Sequence, residues 1–146
     1  MTDFITRIVK ENGLSPQDYI LEITESAYTE DQKHIIEVVE NLRSLGHKVE
    51  MDDFGSGYSS LNMLTSMPID ALKMDKAFIR NIKPGNKDMK IVELELEIAK
   101  NLDVPVVAEG VETEEEYKML KAAGYDIIQG YYFSKPIPPE EMKNFV

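Results

Sequence analysis

The chain contains no cysteine and no tryptophan. Without thiols it has neither a disulfide framework nor a thiolate metal site, which fits a reducing compartment. Long apolar runs are also missing. None approaches the ~18 residues that a membrane-spanning helix needs, and Met1-Thr2-Asp3 does not open a signal peptide. Positive charge is scarce, with 16 basic residues against 27 acidic ones and a net charge of -11. Such a balance opposes non-specific binding to DNA, RNA or anionic membrane. It leaves room for a phosphate-bearing small molecule, because a bound cation inverts the local field. These absences give the expectation of a soluble, cytoplasmic chain.

What is present is one domain's worth of sequence. At 146 residues and 42% hydrophobic content, residues 1–146 read as a single domain with a core of its own. Residues 3–12 carry a helical stripe (Phe4, Ile5, Ile8, Val9) that closes at Asn12-Gly13. Tyr19 to Ile23 is a short apolar strand with Glu22, Thr24, Glu25 and Ser26 at its exit. Thr29 to Gln32 has capping-box spacing before a helix ending at Gly46. A strand over 48–51 runs into Asp52-Asp53-Phe54-Gly55-Ser56-Gly57, and Ser60 is placed to cap a short helix over 61–66. Ala71 to Met74 is a strand ending at Asp75, and residues 76–82 give one or two helical turns. The stripe Ile91, Leu94, Ile98, Leu102 favours a helix over 88–102. A buried strand over 104–108 reaches Glu109-Gly110-Val111-Glu112, and Thr113 to Glu116 is a second capping box. The last strand is 126–130, followed by an aromatic loop and a short terminal helix from Pro138-Pro139.

Short apolar strands alternating with amphipathic helices predict an α/β fold whose parallel sheet is covered on both faces. Two closures fit: an open doubly wound sheet, or part of a (β/α)₈ barrel. In either, the carboxyl ends of the strands share one rim, where ligands bind. Glu22, the Asp52-Asp53 pair, Lys73 with Asp75, Glu109 with Glu112, and Gln129 all fall there. So many carboxylates cannot converge uncompensated, and they call for hard-oxygen cations, Mg²⁺ or Mn²⁺. A pair of such ions suits displacement at a phosphodiester. Lys73 is placed to position water or neutralise a phosphate, and Gln129 to contact substrate. Taken singly, each acid is more simply a solvated residue after a strand, and Glu25, Glu112 and Glu114 to Glu116 read as solvated or capping. His34 and His47 read as surface residues. The aromatics Tyr131 to Phe133 serve equally well as core, interface or stacking platform. A receiver-like phosphoacceptor uses similar residues, but there the acidic pair follows the first strand and the lysine comes late, an order this chain does not follow.

Five segments carry a family likeness: Glu22-Ile23-Thr24-Glu25-Ser26, Asp52-Asp53-Phe54-Gly55-Ser56-Gly57, Leu72-Lys73-Met74-Asp75, Ala108-Glu109-Gly110-Val111-Glu112-Thr113 and Gln129-Gly130-Tyr131 with Pro136. In this order and at these intervals they resemble the EAL-domain family of bacterial cyclic-di-GMP phosphodiesterases, over essentially the whole chain. The resemblance implies a modified TIM barrel with one antiparallel strand, here a partial barrel of about five βα units with mostly parallel strands. It implies hydrolysis of one phosphodiester of cyclic di-GMP to linear pGpG, with Mg²⁺ or Mn²⁺. Glu22, Asp52 and Asp53 would be metal ligands. Lys73 and Glu109 would orient and deprotonate water, while Asp75, Glu112, Gln129 and Pro136 support the site. Glu25 would brace the loop after Asp53. Ser56 stands where threonine is more usual. The Glu-Ala-Leu tripeptide is missing, so the expectation is a barrel lacking three N-terminal strands, with a Glu and an Asn ligand of the first metal. From this follow weak or absent turnover and self-association over the open edges. A non-catalytic cyclic-di-GMP-binding or dimerisation module is the alternative.

Overall fold

The computed structural model describes residues 2–55, 65–138 and 140–144. Five strands form one sheet: β1 (Ile20–Thr24), β2 (Lys48–Phe54), β3 (Ala71–Met74), β4 (Val106–Ala108) and β5 (Ile127–Ile128). They lie side by side in chain order, and all four pairings are parallel. A doubly wound sheet reverses its strand order at a switch point; this sheet never does. With right-handed crossovers and no reversal, every connecting helix packs on the same face. The result is an arc of a barrel, with β1 and β5 as edges. The expectation of two covered faces is corrected accordingly: the core occupies one face only.

Strand alternation explains which face that is. Val49 and Met51 of β2, Leu72 and Met74 of β3, and Val106 and Ala108 of β4 are buried in one hydrophobic cluster, with Leu21 and Ile23 of β1 packed against it. The helices that cover them are α1 (Thr2–Glu11), α2 (Glu25–Glu30), α3 (Gln32–Ser44), α4 (Lys76–Ile79), α5 (Lys87–Leu102) and α6 (Glu114–Ala123). The opposite, concave face carries Glu22, Glu50, Asp52 and Lys73, and its apolar residues at the edges, Ile20 and Ile127, are 49% and 46% exposed. At the amino ends of the strands, single acids tie neighbouring segments together. Asp70 accepts from Val49 N at 2.9 Å and from Arg43 Nη2 at 3.0 Å, and Asp126 accepts from Val106 N at 3.1 Å.

Several local expectations change. Helix α3 is capped by Asp31, whose side chain accepts from His34 N, while Thr29 lies within α2 and bonds back to Ser26 O at 2.8 Å. Strand β2 runs on through Asp52 and Asp53 to Phe54 instead of stopping at Met51. β5 is only two residues long, and the chain end forms a 3₁₀ turn at Met142–Asn144. His47 is buried at 3% exposure and stacks on Tyr19. Ser56, Gly57, the proposed Ser60 cap with most of its helix, and Pro139 lie outside the described residues. The capping box at α6 forms as expected: Thr113 Oγ1 accepts from Glu116 N at 3.2 Å, and Glu116 Oε2 accepts from Thr113 N at 2.9 Å. Replacing Thr113 with alanine should therefore lower stability by about 1 kcal/mol in urea titration.

Candidate functional site

The site is built where the strands end. Between Met51 and Phe54, β2 carries one residue more than β3 opposes, a bulge at the two aspartates. Asp53 takes up the turn with φ 56°, a left-handed conformation that aspartate tolerates better than most residues. The bulge leaves Asp52 facing Lys73 on the concave side and turns Asp53 out to solvent.

Lys73 is the centre. Its side chain is 4% exposed, and its Nζ lies 2.5 Å from Glu22 Oε1, 3.1 Å from Glu109 Oε2 and 3.5 Å from Asp52 Oδ1. Four adjacent strand ends thus meet at one ammonium group. Burial alone would lower the lysine pKa, but the hydrogen bonds to Glu22 and Glu109 and the charge of Asp52 outweigh it and push the pKa up. The upward shift keeps Lys73 in its charged form at neutral pH. The Asp53 pKa is raised by what desolvation its carboxyl keeps and by the charges of Asp52, Asp75 and Glu109, with Lys76 opposing. That acidic field is a reason for a cation to bind beside it.

The other expected residues fall around this centre. Asp75 is committed as the N-cap of α4, accepting from Ala77 N at 2.7 Å. Glu25 is 2% exposed, not solvated, and its Oε2 accepts from Gly55 N at 3.2 Å. Glu112 pairs with Arg80 at 3.1 Å. Gln129 is exposed, and its main chain bonds Ala108 O and Val111 N. Beside Glu109 opens a cleft of about 640 Å³, lined among others by Lys76, Arg80, Glu112, Gln129 and Pro136. Its cations suit an anionic ligand.

Glu50 is a site neighbour that sequence reading passed over. It is 8% exposed, two residues before Asp52 and opposite Glu22 in the β1–β2 register. Burial raises its pKa, Lys73 lowers it, and the charges of Glu22, Asp52 and Asp70 raise it further, with a net upward shift. Period-two alternation from Asp52 was the available signal.

The donor set is all oxygen, as Mg²⁺ and Mn²⁺ require. Among the described residues, however, no three acidic or histidine side chains close on a common point where an ion could sit. The carboxylates instead close on Lys73. The donor types, carboxylate oxygens throughout, suit a divalent cation.

The family model for the EAL domain matches residues 1–136. The cyclic di-GMP phosphodiesterase NbdA of Pseudomonas aeruginosa is 38% identical over 146 residues, 100% of this chain and 19% of that protein. The oxygen sensor protein DosP of Escherichia coli is 37% identical over 134 residues, 92% of this chain and 17% of that protein. The chain thus spans about a fifth of these relatives. Among solved structures, the EAL domain of Mycobacterium smegmatis DcpA superposes with a TM-score of 0.90 at 37% identity, covering 99% of this chain and 65% of that one. A manganese and cyclic-di-GMP complex of Klebsiella pneumoniae BlrP1 gives a TM-score of 0.84 at 34% identity, covering 92% and 34%. The strand-end acids, their order along the chain and these matches lead to one conclusion: the chain belongs to the EAL-domain family.

Proposed function

We propose that residues 1–146 belong to a cyclic-di-GMP phosphodiesterase domain that opens one phosphodiester to give linear pGpG. The observation that carries this reading is the convergence of Glu22, Asp52 and Glu109 on the Lys73 ammonium at four successive strand ends. Asp52 and Asp53, with Glu22, are the residues to hold divalent cations, Mg²⁺ or Mn²⁺. Bound there, such ions supply Lewis-acid stabilisation of charge on the phosphoryl oxygens. Lys73 orients the attacking water or a phosphate oxygen through its N–H groups. Glu109, one hydrogen bond away, takes the proton that water loses as its oxygen bonds phosphorus. The bond from phosphorus to one ribose oxygen breaks, and that oxygen takes a proton from solvent. Arg80, Lys76 and Gln129 line the cleft that receives the rest of the nucleotide, with Glu112 and Pro136 shaping it, and Asp75 supports it by capping the helix that carries Lys76.

The test is pGpG release by the purified chain with Mn²⁺. The expected result is slow turnover, below roughly 1 per second, and Asp52→Asn should abolish it. A wild-type rate typical of full enzymes would overturn the expectation of weak activity. A second reading, a non-catalytic cyclic-di-GMP-binding or dimerisation module, is favoured by Lys73 filling the point where the acids meet. Calorimetry separates the two, since nucleotide binding without product supports the second.

A cytoplasmic, self-associating chain completes the proposal. Among the described residues no helix is long and apolar enough to cross a membrane. A second copy covers the apolar residues left exposed at the edges, Ile20 and Ile127, together with Phe4 and Ile8 of α1. Light scattering at micromolar concentration should show a dimer or larger species, and a monodisperse monomer would refute it.

A further inference from the structure

Helix α5 turns Val92, Glu95 and Ala99 inward, and Glu95 is 4% exposed. Its Oε1 lies 2.6 Å from the point where a Cβ on Gly55 would stand, with the Phe78 ring 3.1 Å from the same point. Glu25 reaches that residue from α2, accepting the Gly55 N–H at 3.2 Å. Two acids from two helices therefore address one main-chain position, two residues after Asp53. Each also has a buried oxygen, Glu25 Oε1 and Glu95 Oε2, with no hydrogen-bond partner among the described residues.

The titratable groups facing Glu95 are Asp75 from the start of α4, Glu25 from α2 and Tyr125 just before β5. Two are acids. The third is a phenol whose hydroxyl donates to Met74 Sδ at 3.0 Å, and burial followed by the charge of Glu95 pushes its own pKa up. Among the described residues no cation contributes to the charge around Glu95. Two buried like charges cannot both remain ionised without one. Glu25 is already engaged by the Gly55 N–H, and Glu95 is the member that holds the proton. Burial, then the charges of Asp75 and Glu25, push its pKa up to about 8.

We propose that Glu95 is a positioning residue: held as the protonated, neutral acid, it packs against Gly55 from α5 while Glu25 accepts the Gly55 N–H from α2, and together they clamp the main chain behind the Asp52-Asp53 carboxylates. When Glu95 releases that proton to solvent, two anions face each other across Gly55 and the clamp opens. Its bearing on catalysis rests on the phosphodiesterase reading above; the clamp itself does not.

The test is the Gly55 amide resonance of the full chain, followed by NMR over roughly pH 6 to 10. In the wild type it should titrate with a midpoint near 8. Glu95→Gln keeps the size and the polar, neutral head of the protonated acid but cannot ionise, so the variant should fold and the titration should vanish. Glu95→Leu fills the space without that polar head, and its Gly55 amide should exchange with solvent roughly tenfold faster than in Glu95→Gln. The same titration in Glu95→Gln, or none in the wild type, overturns the proposal. Mn²⁺ binding measured alongside should weaken above the midpoint in the wild type and not in Glu95→Gln. A Gly55 titration in a protein that binds no Mn²⁺ leaves the clamp standing and removes the phosphodiesterase reading. Mn²⁺ binding with no titration does the reverse.

Discussion

Alanine at Gly130 should destabilise the protein by more than about 3 kcal/mol, the range in which overpacking and backbone strain add. Gly130 has φ 155°, at the margin of what side chains adopt, and its surroundings decide the matter. A Cβ there would lie 2.2 Å from Val111 O, 2.4 Å from Val111 N and 2.8 Å from Val111 C. These are main-chain atoms held on both sides, because Val111 N donates to Gln129 O at 3.2 Å and Val111 O accepts from Tyr132 N at 2.9 Å. Neither segment can step back without breaking these bonds. The added methyl therefore detaches the segment carrying Gln129, Tyr131 and Pro136 from the cleft. Urea titration gives the magnitude, and limited proteolysis within 129–138 shows where the damage sits. A variant within about 1 kcal/mol of wild type would mean that the close approach to Val111 is wrongly placed.

The second large effect belongs to Lys73. Lys73→Met in metal-free protein should lose about 2–3 kcal/mol at neutral pH. Removing one partner of a buried ion pair costs about 3–5 kcal/mol, but here Glu22 and Glu109 are 48% and 39% exposed and can regain water, so the lower figure applies. The sign with pH follows from the raised lysine pKa. The stabilisation is fully present below the ordinary value of 10.5 and is lost as pH rises through the folded value, so wild type and variant converge only in strong alkali. Adding Mn²⁺ should return more stability to the variant than to the wild type, since three carboxylates have lost their own cation. Stability raised equally in both by Mn²⁺ would show the ion binding away from Lys73.

Much of this arrangement was legible in the chain, and the exceptions have physical reasons. Lys73, Glu109, Glu22 and Asp52 were visible because short apolar strands stop abruptly at polar residues, and a parallel sheet sends every such stop to one rim. The choice between an arc and a doubly wound sheet was not visible: both share strand lengths, and only the spatial order separates them. Strand β2 looked finished at Met51 because two aspartates seldom extend a strand; the bulge and the left-handed Asp53 make it possible. Helix α2, six residues with no apolar period, gave no periodic signal and hid behind the apparent cap at Thr29. Glu95 sits in an acidic run that reads as a solvated helix face. Yet its spacing from Val92 and Ala99, three and four residues, is that of the buried stripe. His47 was placed outside because it follows a turn, whereas its ring packs inward on Tyr19.

The unbroken sequence of neighbours in the sheet also has a kinetic side. Each strand pairs with the one made just before it, so every pairing closes a loop of modest length and the entropic barrier to each addition stays similar. Assembly can proceed by accretion from the amino end as the polypeptide leaves the ribosome, each new βα unit docking on a finished surface. Two-residue β5 is the last to arrive and has the fewest bonds of its own. Hydrogen exchange should find it the first strand to open, with the β2–β3 centre the last.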